Sequence, residues 1–253
     1  MILCIDIGNS TVFMGLIHEG EVVNSVRFPS ALTSFTEKIG EFIHGYSIKK
    51  VLLSSVVPSA TPLVEEAVRV LTSLSPMVVK RELQPFFKIA LDVPASLGAD
   101  RIADAAGALH DYDLPLIIID LGTATTFSVI DQEGVFRGGS IGPGLYTSFR
   151  AITEKAAQLK DYQLQAPESV IGTNTQNCIN SGIVNGHAAM IDGMVRRIEE
   201  ETGTQYQVIL TGGAASKVTP FCKCRLTVDE TLILRGLYYL AFVESKPQAA
   251  SMS

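Results

Sequence analysis

Two segments of this chain repeat one pattern of residues at a constant separation. Asp6-Ile-Gly-Asn-Ser-Thr-Val-Phe13 and Asp120-Leu-Gly-Thr-Ala-Thr-Thr-Phe127 each follow an apolar run, and an acid-glycine pair comes after each of them. The aspartates, the first glycines, one pair of threonines, and Gly20 with Gly134 are all 114 positions apart. Each copy predicts a strand, a polar turn, a second strand, a hairpin turn and a third strand. Because a fixed period indicates repeated architecture, we expect two halves, 1–114 and 115–253.

The polar turn in each copy has the chemistry of a phosphate site. Glycine lets the backbone approach an anion closely, backbone N–H groups and hydroxyl or amide side chains donate to phosphate oxygens, and the aspartate can hold a cation. A single turn of this kind is as often an ordinary hairpin turn with a locally bonded aspartate. Two copies in one register favour a pair of turns that hold one polyphosphate.

Composition excludes several classes of protein. The net charge of −6 over 253 residues disfavours nucleic acid as a partner, and we expect no membrane span because no apolar stretch is long enough. The chain opens directly on a strand without a basic leader, so we expect a soluble, cytoplasmic protein. Four cysteines lack the spacing of a zinc site and are expected to be structural or incidental. Neither a P-loop nor a Rossmann glycine motif occurs.

Strands that alternate with helices predict an α/β protein with sheets covered by helices. We expect a glycine-rich turn at Gly138–Gly144 and a long helix from Thr175 to Thr202. Gly182, Gly186 and Gly193 in that helix predict close packing against another backbone. The Thr211-Gly-Gly213 turn after a predicted strand is a candidate site for a base or ribose, although an ordinary tight turn fits it equally well.

Seven motifs, taken in order, resemble those of the type III pantothenate kinase family within the actin and sugar-kinase superfamily. They are Asp6-Ile-Gly-Asn-Ser10, Ser54-Ser-Val-Val-Pro58, Gly98-Ala-Asp-Arg101, Asp120-Leu-Gly-Thr-Ala-Thr-Thr126, Gly138-Gly-Ser-Ile-Gly-Pro-Gly144, Gly172-Thr-Asn-Thr175 and Thr211-Gly-Gly213. The resemblance implies two similar half-domains of the actin/sugar-kinase, ribonuclease H-like fold, with mixed sheets, flanking helices and an ATP cleft between the halves.

The implied reaction is transfer of the γ-phosphoryl group of ATP to pantothenate, giving 4'-phosphopantothenate on the route to coenzyme A. By resemblance Asp100 is the general base, although an aspartate here could also serve as a helix N-cap. Arg101 would help to hold the substrate carboxylate, or could be an ordinary ion-pairing residue. The implied pantothenate site consists of Gly98, Ala99, Asp100, Arg101 and Thr175, where Thr175 could instead cap the long helix.

The resemblance also assigns the nucleotide and cation sites. Asp6 would lie by the phosphates and Mg²⁺, the latter either directly or through water, and Asp120 would bind K⁺ or NH₄⁺. The implied ATP-binding residues are Asp6, Ile7, Gly8, Asn9, Ser10, Thr11, Val12, Phe13 and Thr123. Family members are dimers, so a homodimer is implied as well.

One departure and three alternatives accompany this assignment. Leu91 occupies the place before Pro94 where many family members have a tyrosine that contacts substrate. The alternatives are a non-catalytic relative that binds partners, an actin-like filament protein, and a kinase of the same superfamily with another acceptor. The presence of Asp6, Asp100, Arg101 and Asp120 argues against the non-catalytic relative.

Overall fold

The computed structural model describes residues 1–31, 34–79, 87–155, 159 and 161–242. The strands are β1 (Ile2–Ile7), β2 (Thr11–His18), β3 (Glu21–Pro29), β4 (Lys50–Ser55), β5 (Met77–Val78), β6 (Leu116–Leu121), β7 (Ala124–Ile130), β8 (Phe136–Pro143), β9 (Gln207–Thr211) and β10 (Thr227–Val228). The α-helices are α1 (Phe35–Ile43), α2 (Thr61–Thr72), α3 (Ala99–Asp111), α4 (Leu145–Lys155), α5 (Thr175–Thr202), α6 (Ala215–Val218) and α7 (Leu232–Leu240).

The chain forms two compact units, each built on a mixed five-stranded sheet. The first contains the described parts of 1–88, 93–110 and 233–253, and the second contains those of 89–92 and 111–232. Helix α7 therefore belongs almost wholly to the first unit, although it follows the second in sequence. The expected halves 1–114 and 115–253 stay a prediction.

In the first unit the strand order is β3-β2-β1-β4-β5, with β1 antiparallel to β2 and parallel to β4. Leu3, Ile5 and Ile7 alternate along β1 and pack into one core with residues of α1 and α2. The other face of the sheet meets α7, where a Cβ on Gly15 would lie 2.5 Å from Leu234. Gly236 of α7 lies against the carbonyl of Ala103 in α3, so two glycines allow this second helical layer to pack closely.

The second unit has the order β10-β9-β6-β7-β8, and β6 repeats the pairing of β1. Its core joins Ile117 and Ile119 of β6 with Ile183, Ile191 and other residues of α5. The prediction of a helix from Thr175 to Thr202 is confirmed at both ends.

One expectation about glycines is wrong for the described residues. Gly138–Gly144 is not a free turn, because residues up to Pro143 form strand β8. Gly139 has φ +150° and a Cβ there would lie 1.7 Å from the Phe127 carbonyl oxygen, so the glycines allow two backbones to approach within the sheet. Apart from the neighbouring backbone of α5 itself, no described atom lies within 4 Å of a Cβ placed on Gly182, Gly186 or Gly193. The predicted packing of these glycines against another backbone is therefore not met within the described chain, and packing against a second chain stays a prediction.

The two copies of the repeat differ by one residue in strand register. Asp6 lies opposite Phe13, whereas Asp120 lies opposite Thr126 rather than Phe127. Since a shift of one residue moves a side chain to the other face of a sheet, Phe127 enters the core of its unit while Phe13 shares the face of Asp6.

Candidate active site

The first polar turn joins the carboxyl end of β1 to β2. Gly8 donates its N–H to the carbonyl oxygen of Thr11 at 2.9 Å, and a Cβ on Gly8 would lie 3.2 Å from that oxygen. Asn9 and Thr11 are exposed, and Asp6 and Ser10 are half-buried. Ile7, Val12 and Phe13 are buried, so the two aliphatic residues support the turn from the core.

The end of β3 closes this turn. Ser30 donates its Oγ hydroxyl to the carbonyl of Gly8 at 2.6 Å and its N–H to the carbonyl of Ser10 at 3.0 Å. Sequence reasoning missed Ser30, although a hydroxyl residue at the end of the third strand of the repeat was the signal that could have found it.

The second polar turn is tighter. Gly122 donates its N–H to the carbonyl of Ala124 at 3.0 Å. The carbonyl of Thr123 accepts the N–H of Gly144 at 3.0 Å and the hydroxyl of Thr147 at 2.6 Å. A Cβ on Gly144 would lie 2.2 Å from the Gly122 carbonyl oxygen. Helix α4 is therefore anchored on this turn, while the side chain of Thr123 stays exposed.

The Thr-Gly-Gly turn meets the second polar turn, as a ligand site would require. Thr211 lies opposite Asp120 in the sheet, and Ala214 donates its N–H to the Leu121 carbonyl at 3.2 Å. Gly212 has φ +92°, and a Cβ there would lie 2.2 Å from Asp120 Oδ1. Only glycine fits this position, because it combines a left-handed backbone with contact against the carboxylate.

Asp100 is the second residue of α3, which begins at Ala99, so it is not the helix N-cap. Its Oδ1 accepts the N–H of Arg101 at 2.8 Å. A Cβ on Gly98 would lie 2.4 Å from the same oxygen, so the glycine provides the space for this carboxylate. A negative charge in the first turn of a helix is favourable, and the half-buried carboxylate keeps solvent access.

Arg101 is half-buried in the same first turn. Burial lowers the pKa of its guanidinium, and the charges of Asp100 and the buried Asp104 act in the opposite direction. An arginine remains protonated under such conditions, so the first turn of α3 carries a base candidate and a cation side by side.

Thr175 is the first residue of α5 and is exposed. The cap is its neighbour Asn174, whose side chain accepts the N–H of Asn177 at 2.9 Å. A Cβ on Gly172 would lie 2.4 Å from the Cys178 nitrogen, so this glycine lets the preceding loop fold against the helix. The capping role considered for Thr175 thus falls to Asn174.

Leu91 lies next to β8 in the second unit. Its segment forms a bridge between Ile89 and Phe136, and a Cβ on Gly138 would lie 3.4 Å from Leu91 Cδ2. An apolar residue packed on the glycine strand therefore stands where the resemblance places an aromatic one.

The predicted site residues are divided between the units. Asp6, its turn, Asp100 and Arg101 belong to the first, whereas Asp120, Thr123 and Thr175 belong to the second. Within the second unit, Asp120, the Gly122 turn and Thr211-Gly-Gly213 are in contact.

The oxygen donors around the two aspartates suit hard cations. Thr126 and Thr211 flank Asp120 in the sheet, so three oxygen-bearing side chains share one face. Asp6 lies beside Ser54, a fully buried residue whose hydroxyl has no hydrogen bond among the described residues. Among the described residues, no group of three His, Cys, Asp or Glu side chains able to hold a metal ion occurs.

A separate cavity of about 620 Å³ lies in the second unit near the amino ends of β9 and β10. The second polar turn lies at the opposite end of these strands, where their carboxyl ends are. The lining residues of the cavity include Asp113, Glu199, Tyr206 and Arg225. In open α/β sheets ligands bind at the carboxyl ends of strands, which favours the polar turns as the candidate active site. No helix among the described residues is long and apolar enough to cross a membrane.

Comparison with known proteins agrees with the motifs. The family model described as type III pantothenate kinase matches residues 2–197. A type III pantothenate kinase from Thermomicrobium roseum is 36% identical over 246 residues, covering 94% of this chain and 95% of the relative. One from Citrifermentans bemidjiense is 35% identical, with coverage of 94% and 97%.

Solved structures share the fold at low sequence identity. A Baf family protein from Campylobacter jejuni has a TM-score of 0.61 at 17% identity, covering 94% of this chain and 96% of that one. A ROK family glucokinase from Streptomyces griseus, in complex with glucose and AMPPNP, has a TM-score of 0.55 at 12% identity, with coverage of 95% and 97%. The expected sugar-kinase fold with two mixed sheets and flanking helices is confirmed.

Proposed function

Since the chain belongs to the type III pantothenate kinase family, we propose that it transfers the γ-phosphoryl group of ATP to the primary hydroxyl of pantothenate, with Asp100 as the general base. The observation that carries the proposal is the match of the family model over residues 2–197, which includes both polar turns and the first turn of α3. The product is 4'-phosphopantothenate, so the enzyme acts in coenzyme A biosynthesis.

As the proposed base, Asp100 would accept the proton of the attacking hydroxyl. Its Oδ1 receives the Arg101 N–H, and the half-buried carboxylate retains access to solvent. Phosphoryl transfer needs correct positioning and neutralised charge more than covalent chemistry. Arg101 would pair with the carboxylate of pantothenate, because a guanidinium forms two parallel hydrogen bonds with such a group. Gly98, Ala99 and the exposed Thr175 complete the proposed substrate site.

ATP is assigned to the two polar turns. Gly8, Asn9, Ser10 and Thr11 would donate to phosphate oxygens, with Ile7, Val12 and Phe13 in the same segment and Thr123 from the second turn. Mg²⁺ supplies charge neutralisation when bound, and Asp6 is the residue that would hold it, directly or through water. Protein sites for Mg²⁺ use one or two carboxylates together with the phosphates of the substrate, and Asp6 would be the one carboxylate supplied by the first polar turn.

The proposal includes a monovalent cation, K⁺ or NH₄⁺, at Asp120. The row of Thr126, Asp120 and Thr211 presents hydroxyl and carboxylate oxygens on one face of the sheet. Gly212 leaves space for Asp120 Oδ1, because a Cβ there would lie 2.2 Å from that oxygen. The cation would balance the charge of Asp120 beside a bound polyphosphate.

We also propose a homodimer in the cytoplasm, where ATP is available. Helix α5 has small residues Gly182, Gly186 and Ala189 exposed along one face, with Gly193 half-buried further along. Glycine in a helix costs about 1 kcal/mol relative to alanine, so a close helix partner would offset that cost. Light scattering on the purified protein tests this: twice the mass of 27.2 kDa is expected, and a monomer at micromolar concentration refutes it.

The decisive experiment is phosphorylation of pantothenate by purified protein with Mg²⁺-ATP, comparing K⁺, NH₄⁺ and Na⁺ as the only monovalent cation. Turnover that requires K⁺ or NH₄⁺ would support both the acceptor and the role of Asp120. Equal turnover in Na⁺ would contradict the proposed K⁺ or NH₄⁺ site at Asp120, but it would still support pantothenate as the acceptor. A folded protein that binds ATP but leaves pantothenate unchanged in all three salts would contradict the proposed reaction.

A further inference from the structure

A row of four side chains crosses the first sheet at the phosphate turn. Ser54 lies opposite Asp6, Asp6 opposite Phe13, and Phe13 opposite Arg27. Directly opposed residues in neighbouring strands point to the same face of the sheet, so the row presents a hydroxyl, a carboxylate, an aromatic ring and a guanidinium side by side.

Arg27 reaches along this row toward Asp6. Its guanidinium carbon lies 3.4 Å above the centre of the Phe13 ring, and Phe13 is the residue between Arg27 and Asp6. Because neighbouring strands are roughly 5 Å apart, the guanidinium is about one strand spacing from the strand that carries Asp6. The residue as a whole remains exposed, which leaves the cation accessible from solvent.

The corresponding row of the second unit has no cation. There Thr211, Asp120, Thr126 and Ile141 are opposed in the same way, and Ile141 is 114 positions after Arg27. Because the strand register differs by one residue, Thr126 occupies the place in this row that Phe13 occupies in the first. The second row therefore also lacks an aromatic ring on which a guanidinium could stack. The difference makes the two turns chemically unequal.

We propose that Arg27, supported by Phe13, binds the polyphosphate of the nucleotide at the first turn. The inference rests on the proposed kinase function and adds a residue to its nucleotide site. A planar guanidinium can form two hydrogen bonds with phosphate oxygens through its edge, whereas stacking on an aromatic ring uses its face. Phosphoryl transfer depends on such neutralisation of charge, and an arginine is the side chain best suited to it.

The test compares Arg27→Gln, Arg27→Lys and a control, Arg69→Gln, which changes an exposed arginine paired with Glu66 on α2. Affinities for ATP, ADP and AMP are measured with Mg²⁺ by competition against a fluorescent adenosine derivative that has no phosphate. For Arg27→Gln we expect the affinity for ATP and ADP to fall about tenfold or more and that for AMP to change less than about twofold. Arg27→Lys should lose less affinity for ATP and ADP than Arg27→Gln does, and the control should bind all three nucleotides as the wild type does.

Two results would overturn the proposal: unchanged affinity for ATP and ADP in Arg27→Gln, or an equal loss for all three nucleotides. The second would mean that Arg27 only supports the sheet. Thermal unfolding of each variant identifies a folding defect. Should Arg27→Gln not fold, Arg27→Lys and Phe13→Leu are measured in its place. Phe13→Leu is expected to reduce the affinity for ATP more than the affinity for AMP. Because the readout is binding, failure of pantothenate phosphorylation would contradict the proposed function and leave this inference to be decided separately.

Discussion

At the scale of single residues, glycines determine where the reactive side chains lie. Gly98 provides the space for one oxygen of the Asp100 carboxylate, and Gly212 does the same for Asp120. Changes at these glycines are therefore expected to act on catalysis through the position of a neighbouring carboxylate.

Replacement of the proposed base tests its role directly. Asp100→Asn removes the proton acceptor while it preserves the shape of the side chain, so kcat should fall by about 10² to 10⁴-fold. ATP affinity and the thermal unfolding midpoint should stay close to wild type. Asp161→Asn, an exposed aspartate, is the matched control. Wild-type turnover in Asp100→Asn would exclude Asp100 as the base.

Gly98→Ala should reduce kcat without removing any functional group. The added Cβ would lie 2.4 Å from Asp100 Oδ1, so the carboxylate must move. A displacement of about 1 Å can cost about 10²-fold in rate. We expect a lower kcat with a small change in the KM for ATP, measured by steady-state kinetics. A variant with wild-type kcat would show that the carboxylate tolerates the move.

The four thiols should differ in reactivity. Burial, with the Asp192 carboxylate adding to it, raises the pKa of Cys222 to about 11, and burial with a hydrogen bond to Asp192 raises that of Cys224 to about 12. A thiol with a pKa near 11 is about one part in a thousand thiolate at pH 8, and thiolate is the reactive form. Burial also raises the pKa of Cys4, whereas Cys178 is exposed.

Iodoacetamide at pH 8 should therefore modify Cys178 first in the native protein. Mass spectrometry after proteolysis gives the order, and denatured protein, in which all four react, is the control. Rapid modification of Cys222 or Cys224 in folded protein would contradict the raised pKa values.

At the scale of elements, the approach of β8 to β7 depends on one glycine. Gly139→Ala would place a Cβ 1.7 Å from the Phe127 carbonyl oxygen at φ +150°, so the strands must separate. We expect a loss of about 3 kcal/mol or more in the free energy of unfolding. Gly45→Ala is the matched control, because Gly45 has φ +81° and no described atom within 4 Å of the new Cβ.

The control should lose only about 1 to 2 kcal/mol, the cost of a left-handed backbone for a residue with a Cβ. Urea unfolding of the two variants separates that cost from the cost of close approach. Equal losses in both would show that the backbone at Gly139 relaxes without disturbing the sheet.

At the scale of the whole molecule, both polar turns are proposed to bind the same nucleotide. A ligand that binds only the folded state stabilises it, by about 2.7 kcal/mol at a concentration of 100 Kd. Asp6→Asn and Thr123→Val lie in different compact units, yet each should reduce the rise in unfolding temperature caused by Mg²⁺-ATP. Differential scanning calorimetry with and without nucleotide measures this. If either variant shows the same rise in unfolding temperature with Mg²⁺-ATP as the wild type, the turn that carries the substitution does not bind the nucleotide.

Much of this molecule was predictable because its signals are local. The repeated Asp-Gly turns, the apolar runs before them and the long helix from Thr175 to Thr202 depend on residues near in sequence, and the structure has these elements where expected. The family followed from the motifs for the same reason, since each motif is a short segment with fixed spacing.

Tertiary structure alone decided what depends on distant segments. The repeat of 114 positions implied equal turns, but strand pairing slipped by one residue and sent Phe127 into the core while Phe13 stayed beside Asp6. The glycines of β8 looked like a turn because their partner is the backbone of another strand, which no local pattern reveals. Stacking of Arg27 on Phe13 was likewise hidden, because side chains meet across a sheet only once the register of its strands is fixed.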